Sequence, residues 1–241
     1  MYNDIGTGTP IVLLHGLGSK KEAWAPQHDL AQHYRLIMPD LRGHGETVLE
    51  EDLTIKNFAL DVIQLLESLH IPSAFICGLS LGGIVAQEIY KQRPAMVKGL
   101  ILSNTTAYIP VFFGSQIMSA TQQLIHDDQE LMEHIVSTAL YDQSFKEEAR
   151  KAFQIRDSYL DAAKASIGIN YLPVLTGIQK PVLLIGSSHD NVTPTMNLYF
   201  MRNFMWGAKT VILEKTGHLS NIEKKDLFNQ TIKEFLDDMP A

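Results

Sequence analysis

Short apolar runs alternate with helix-like patterns along most of the chain. Six runs read as strands: Ile11–His15, Arg35–Pro39, Ser73–Cys77, Val97–Ser103, Pro181–Gly186 and Lys209–Leu213. Most are almost continuously apolar, as parallel strands covered on both faces must be. Between the second and third, Phe58, Val62, Leu65, Leu66 and Leu69 fall on one stripe of a helix that Thr54 can cap. The last helix sets Ile222, Leu227, Ile232 and Phe235 among charged residues and is expected to pack on the sheet edge. This alternation predicts an α/β fold with a mostly parallel central sheet and helices on both faces.

The alternation stops between about Thr105 and Gln179. That stretch holds helical runs at Gln122–Tyr141 and Phe145–Leu160, rich in Met, Phe and Tyr, and no clear strand. It predicts a core of residues 1–104 and 180–241 with residues 105–179 inserted as a helical cap at the carboxyl edge of the sheet, where a lid would cover a site. Tyr108, Phe112, Phe113, Met118, Met132 and Tyr171 are candidate pocket liners, although each also reads as ordinary packing. The basic residues Lys146, Arg150, Lys151, Arg156 and Lys164 stand among acidic ones and read as a solvated face.

Composition narrows the partners. The 241 residues suit one domain with an insertion, and a 45% apolar content suits a large core. A net charge of −7 argues against nucleic acid or an anionic membrane. No apolar window reaches a spanning length, and Met1-Tyr2-Asn3-Asp4-Ile5 lacks the basic and apolar parts of a signal peptide. The single cysteine, Cys77, excludes an internal disulfide and fits a reducing compartment, so a cytoplasmic protein is expected. Cys77 lies inside a strand run and reads as a small buried apolar residue. Nothing in the sequence speaks to oligomeric state.

The chemistry centres on Gly78-Leu79-Ser80-Leu81-Gly82, directly after the third strand and before a helical run. A serine between glycines at such a junction can be held in a strained turn with its hydroxyl exposed beside helix N-terminal amides. Side chains at the two glycines would clash with the neighbouring strand and helix. A serine needs an imidazole to take its proton, and His218, in Thr216-Gly217-His218 after the last strand, is the candidate. In isolation His218 would read as a surface loop residue, and His189 is its rival. The imidazole needs a carboxylate to fix its tautomer. Asp190, in the loop before Thr193-Pro194, is that candidate; the other place for an acid, after Val97–Ser103, holds Asn104 and Thr105. Oxyanion donors are expected from the backbone amides of Leu81 and of Leu17 in His15-Gly16-Leu17-Gly18. No metal-binding spacing is present, and this chemistry calls for no cofactor.

Taken together, His15-Gly16-Leu17-Gly18, Asp40-Leu41-Arg42-Gly43-His44-Gly45, Gly78 to Gly83, Asp190 to Pro194 and Gly217-His218 resemble the α/β-hydrolase-fold serine hydrolases over nearly the whole chain. The resemblance implies hydrolysis of a carboxylic ester or lactone, a small-molecule substrate, through an acyl-enzyme. It also implies that His44 is a scaffold residue, since Asp40 to Gly45 is a structural loop in that family. Ser80 excludes the members with an aspartate nucleophile. The stretch Gly217 to Glu223 is similar to the ending of enol-lactone hydrolases and carboxylesterases. Carbon–carbon bond hydrolases often carry Trp where this chain has Leu219. Such a hydrolase, a perhydrolase, or a ligand receptor on the same fold are the alternatives. Family members carry a strand ahead of the one at Ile11, and here it is expected to be short or missing. One residue more than the commonest spacing separates Gly186 from Asp190, which is expected to shift the acid's loop slightly.

Overall fold

The strand runs pair into one sheet in a computed structural model that describes residues 1–49, 51–124 and 128–239. Its strands are β1 (Tyr2–Ile5), β2 (Thr9–Leu14), β3 (Tyr34–Pro39), β4 (Ala74–Leu79), β5 (Val97–Ser103), β6 (Val182–Ser187) and β7 (Lys209–Leu213). Their spatial order is β1-β3-β2-β4-β5-β6-β7. Only β1 runs antiparallel to its neighbour. The expected α/β architecture is therefore present, and β1 is the short edge strand ahead of Ile11. The sequence Tyr-Asn-Asp-Ile hides it, because β1 buries no side chain and leaves Tyr2 and Asp4 exposed.

Alternate side chains on a strand face opposite sides of the sheet. In β2, Val12 and Leu14 enter a core with Phe58, Val62 and Leu66 of α1 (Ile55–Ser68) and with Val85 and Ile89 of α2 (Leu81–Gln92). Ile11 and Leu13 enter a second core with Trp24 of the 3-10 segment Lys21–Gln32. Both faces are thus buried, which is why the strands read as unbroken apolar runs. Burying one such aliphatic side chain contributes about 1.5–3 kcal/mol. Thr54 caps α1 as expected, its hydroxyl accepting the Asn57 amide at 3.1 Å. Cys77 is a fully buried member of the second core, and burial pushes its thiol pKa up.

Between β5 and β6 the chain forms α3 (Val111–Leu124), α4 (Asp128–Ala139), α5 (Lys146–Lys151), α6 (Tyr159–Lys164) and α7 (Leu172–Leu175). No strand occurs there among the described residues. The helical run expected at Phe145–Leu160 is broken. After Ala152 the chain lies against the loop following β2: the Lys20 amide donates to Ala152 O at 3.0 Å and the Gln154 amide to Gly18 O at 2.9 Å. This long-range pairing overrides local helix propensity. The remaining helices are α8 (Thr195–Arg202), α9 (Ser220–Glu223) and α10 (Lys225–Asp237). α10 covers a sheet face instead of the edge: Phe235 stacks edge-on against Phe75 of β4 at 6.3 Å, Phe228 reaches Trp24, and Leu227 is exposed.

The strand order sets where a ligand can bind. From β2 the chain crosses to β3 on one side, and β4 returns to the other side of β2 before continuing to β5. Loops leaving the carboxyl ends of β2 and β4 therefore diverge and open a crevice at this reversal. His15 to Gly18 follow β2 and Ser80 follows β4, so both motifs meet there.

Candidate active site

Ser80 joins β4 to α2 with φ 54° and ψ −116°. This is the conformation of the first central residue in a type II′ turn, where glycine is preferred. A β-carbon on Gly78 would collide with the Gly82 backbone, and one on Gly82 with the Leu14 carbonyl. Both glycines are therefore required for strand, turn and helix to close up. The Ser80 amide donates to Ser103 O at 3.0 Å. Its carbonyl accepts the Thr105 hydroxyl at 2.7 Å and the amides of Gly83 and Ile84. Because that carbonyl and the Leu81 N–H belong to one planar peptide, these bonds also fix the direction of the Leu81 amide.

His218 precedes α9 and is buried, with Nδ1 2.9 Å and 3.1 Å from the two Asp190 carboxylate oxygens. Its amide donates to Ala139 O at 2.7 Å, at the end of α4. Asp190, after β6, is held from every side. Oδ1 accepts the amides of Val192 and Thr193, both at 2.8 Å. Oδ2 accepts the Thr193 hydroxyl at 2.8 Å and the Asn104 side-chain N–H at 2.7 Å. Burial alone would push the Asp190 pKa up. The facing His218, its hydrogen bond, and the Asn104 and Thr193 donors outweigh burial and hold the carboxyl below the usual range.

Three supporting residues escape a sequence reading. Asn104, at φ 44°, stands at the position after β5 that lacks an acid, and it positions the acid after β6 instead. Thr105 holds the Ser80 carbonyl. Glu223 accepts the Gly217 amide at 2.7 Å and the Tyr141 and Asp142 amides at 3.0 and 2.7 Å, tying the histidine loop to the segment after α4. The one available signal was position: Asn104 and Thr105 directly follow a strand at the sheet edge where the other site residues lie.

The loop after β2 is fixed by a histidine. The Leu41 amide donates to His15 Nε2 at 3.1 Å, so Nδ1 carries the ring proton and donates to Gly16 O at 2.8 Å. The Gly16 carbonyl shares a peptide plane with the Leu17 amide, which makes no hydrogen bond among the described residues. The Leu81 amide, first in α2, has no intrahelical acceptor. Both residues line a cavity of about 440 Å³ together with Ser80 and His218. Ile84, Ile109, Met118, Ile135, Phe153 and Tyr159 supply much of its wall. The Ser80 hydroxyl makes no hydrogen bond to His218 among the described residues.

Ser80, Leu17, Leu81 and His218 are thus brought to one cavity, with Asp190 on the far nitrogen of His218. His189 is not part of it: it is exposed, 4.3 Å from the Tyr141 ring. Of the six aromatic and methionine residues considered as liners, only Met118 lines the cavity. Tyr108, Phe112 and Phe113 face solvent, Tyr171 is in the core, and Met132 packs on the second core. The described residues hold no cluster of groups suited to a metal ion. Nor do they include a helix long and apolar enough to cross a membrane.

His44 is a buried scaffold residue, its Nδ1 2.9 Å from Arg42 O and its ring 5.2 Å from that of His15. Burial first, then His44, push the His15 pKa down to about 3; burial also lowers His44. Asp40 opposes both shifts, and Lys21 and Arg156 add to those of His15 and His44 respectively. Unfolded histidines titrate near 6.5, so below that pH the unfolded chain binds protons that the native rings refuse. The stability these neutral rings contribute is complete above about pH 6.5 and is lost as pH falls from there toward the native values, by about 1.4 kcal/mol per pH unit for each proton. The urea midpoint is expected to drop between pH 6.5 and 4, with a shallower drop in His15→Asn. A midpoint flat across that range would contradict this account.

A model of the alpha/beta hydrolase family matches residues 11–231. The chain belongs to that family. Among relatives of this alpha/beta hydrolase, 3-oxoadipate enol-lactonase 1 of Acinetobacter baylyi is 28% identical over 238 residues, covering 94% of this chain and 88% of the relative. The (E)-2-((N-methylformamido)methylene)succinate hydrolase of the same organism is 25% identical, covering 99% and 94%. Among solved structures, the enol-lactonase from Burkholderia xenovorans LB400 superposes with a TM-score of 0.89 at 26% identity, covering 99% and 96% of the two chains.

Proposed function

We propose that this alpha/beta hydrolase cleaves a carboxylic ester or lactone through an acyl-enzyme, with Ser80, Asp190 and His218 as its triad. The observation that carries the reading is the buried His218–Asp190 pair at the wall of the cavity that contains the strained Ser80. Asp190 holds the Nδ1 proton, leaving Nε2 free to accept the proton of the Ser80 hydroxyl as it attacks the carbonyl. Apo sites hold the serine–histidine contact loosely and tighten it around substrate. The amides of Leu17 and Leu81 stabilise the oxyanion, each aimed by the bonds on the carbonyl of its own peptide. His218 returns the proton to the departing alkoxide, then activates the water that frees the acid. No cofactor enters any step.

Residues 105–179 form the cap in this reading, because α3, α4 and α6 contribute wall to the cavity that Ser80 also lines. The enol-lactonase names of relatives favour ester or lactone substrates over carbon–carbon cleavage. The lone buried thiol suits a reducing compartment, and we place the enzyme in the cytoplasm. A fluorophosphonate is expected to add a single phosphonyl group, on Ser80, and to stop hydrolysis of p-nitrophenyl butyrate. Mass spectrometry showing Ser80 unlabelled under those conditions would remove the proposal.

A further inference from the structure

We infer that the cavity at Ser80 takes a neutral, apolar acyl group and rejects one bearing a second carboxylate. The inference rests on the serine-hydrolase reading and narrows its substrate class. The described lining contains no lysine, arginine, aspartate or glutamate; its titratable side chains are His218 and Tyr159. Burial pushes the Tyr159 hydroxyl up to about 12, so it stays neutral.

The polar groups of the wall are already committed. The hydroxyls of Ser19, Thr105 and Ser166 donate to the carbonyls of Ala152, Ser80 and Ala163 at 2.7, 2.7 and 2.8 Å. Those of Thr106 and Thr193 donate to Tyr108 O and to Asp190. The amides of Leu17 and Leu81 serve the oxyanion. What is left is a few neutral dipoles, from Thr138, Asn191 and Tyr159.

Four of the five cations of the inserted segment are engaged elsewhere, and the fifth, Lys151, is exposed and outside the cavity lining. Lys146 and Arg150 pair with Glu133, Lys164 pairs with Asp161, and Arg156 donates to Gly45 O. Residues 99–145, which supply the α3 and α4 part of the wall, contain no lysine or arginine at all. A carboxylate carried into this cavity would lose its hydration and meet no counter-charge. The overall charge of −7 offers no long-range attraction to offset that loss.

The test compares p-nitrophenyl hexanoate with mono-p-nitrophenyl adipate at neutral pH, two esters of equal chain length ending in a methyl or a carboxylate. The hexanoate is expected to have the higher kcat/KM by at least about a hundredfold. Met118→Lys, which places an ammonium on the wall, is expected to shrink that ratio by about tenfold or more. A wild-type ratio near one, or in favour of the adipate, overturns the inference; fluorophosphonate labelling of Ser80 in the same preparation shows that the serine mechanism survives. If neither ester turns over and Ser80 is not labelled, the mechanism falls and this inference with it.

Discussion

Ser80→Ala is expected to lower the turnover of p-nitrophenyl butyrate by about a million-fold, to the level left by binding and oxyanion stabilisation alone. The size follows from the role: without the hydroxyl there is no covalent step, and His218 and Asp190 have nothing to activate. Stability separates this from a folding defect. Ser80 occupies a backbone region that costs about 1–3 kcal/mol for a residue with a side chain, and alanine retains that strain while glycine relieves it. Ser80→Ala should therefore melt close to the wild type, whereas Ser80→Gly should be equally inactive and more stable. Thermal melts and initial rates on the three proteins check both halves. Turnover within about tenfold of the wild type in Ser80→Ala would leave the assignment without its nucleophile.

The parts of the site that could be read from the sequence are those where backbone geometry imposes residue type. Gly78 and Gly82 are forced by the closeness of strand and helix, and this contact leaves a local pattern around Ser80. Asp190 and His218 each follow a strand long enough to recognise by its apolar run. The parallel sheet was legible for the same reason, since burial on both faces excludes polar residues from the strands. What escaped depends on contacts between distant segments. Asn104 acts on Asp190 only because β5 and β6 are neighbours and its own φ is positive. The break after α5 comes from pairing with the loop at Gly18, which no window around Phe153 contains. The aromatic liners failed through rotation about a helix axis: Phe112 and Phe113 on α3 are 68% and 59% exposed, while Met118 on the same helix lines the cavity.

Asp190→Asn is expected to reduce kcat by about ten-thousandfold while leaving the side-chain shape unchanged. The donors around this carboxylate decide which way the new amide must face. The backbone amides of Val192 and Thr193 cannot rotate away, so the remaining oxygen must stay at the Oδ1 site to accept them. The NH2 group is then left at the Oδ2 site, pointing at His218 Nδ1, 2.9 Å away in the wild type. Nδ1 becomes the acceptor, the ring proton moves to Nε2, and the imidazole can no longer take the Ser80 proton. At the same place the NH2 group faces the Asn104 side-chain N–H, two donors without an acceptor between them. That leaves a buried polar group unsatisfied at a cost of about 1–3 kcal/mol, so a lower urea midpoint is expected alongside the lost rate. Nitrogen-15 spectra of the His218 ring report the tautomer directly. A variant that keeps the proton on Nδ1, or turns over within about tenfold of the wild type, would show that Asp190 does not govern the base.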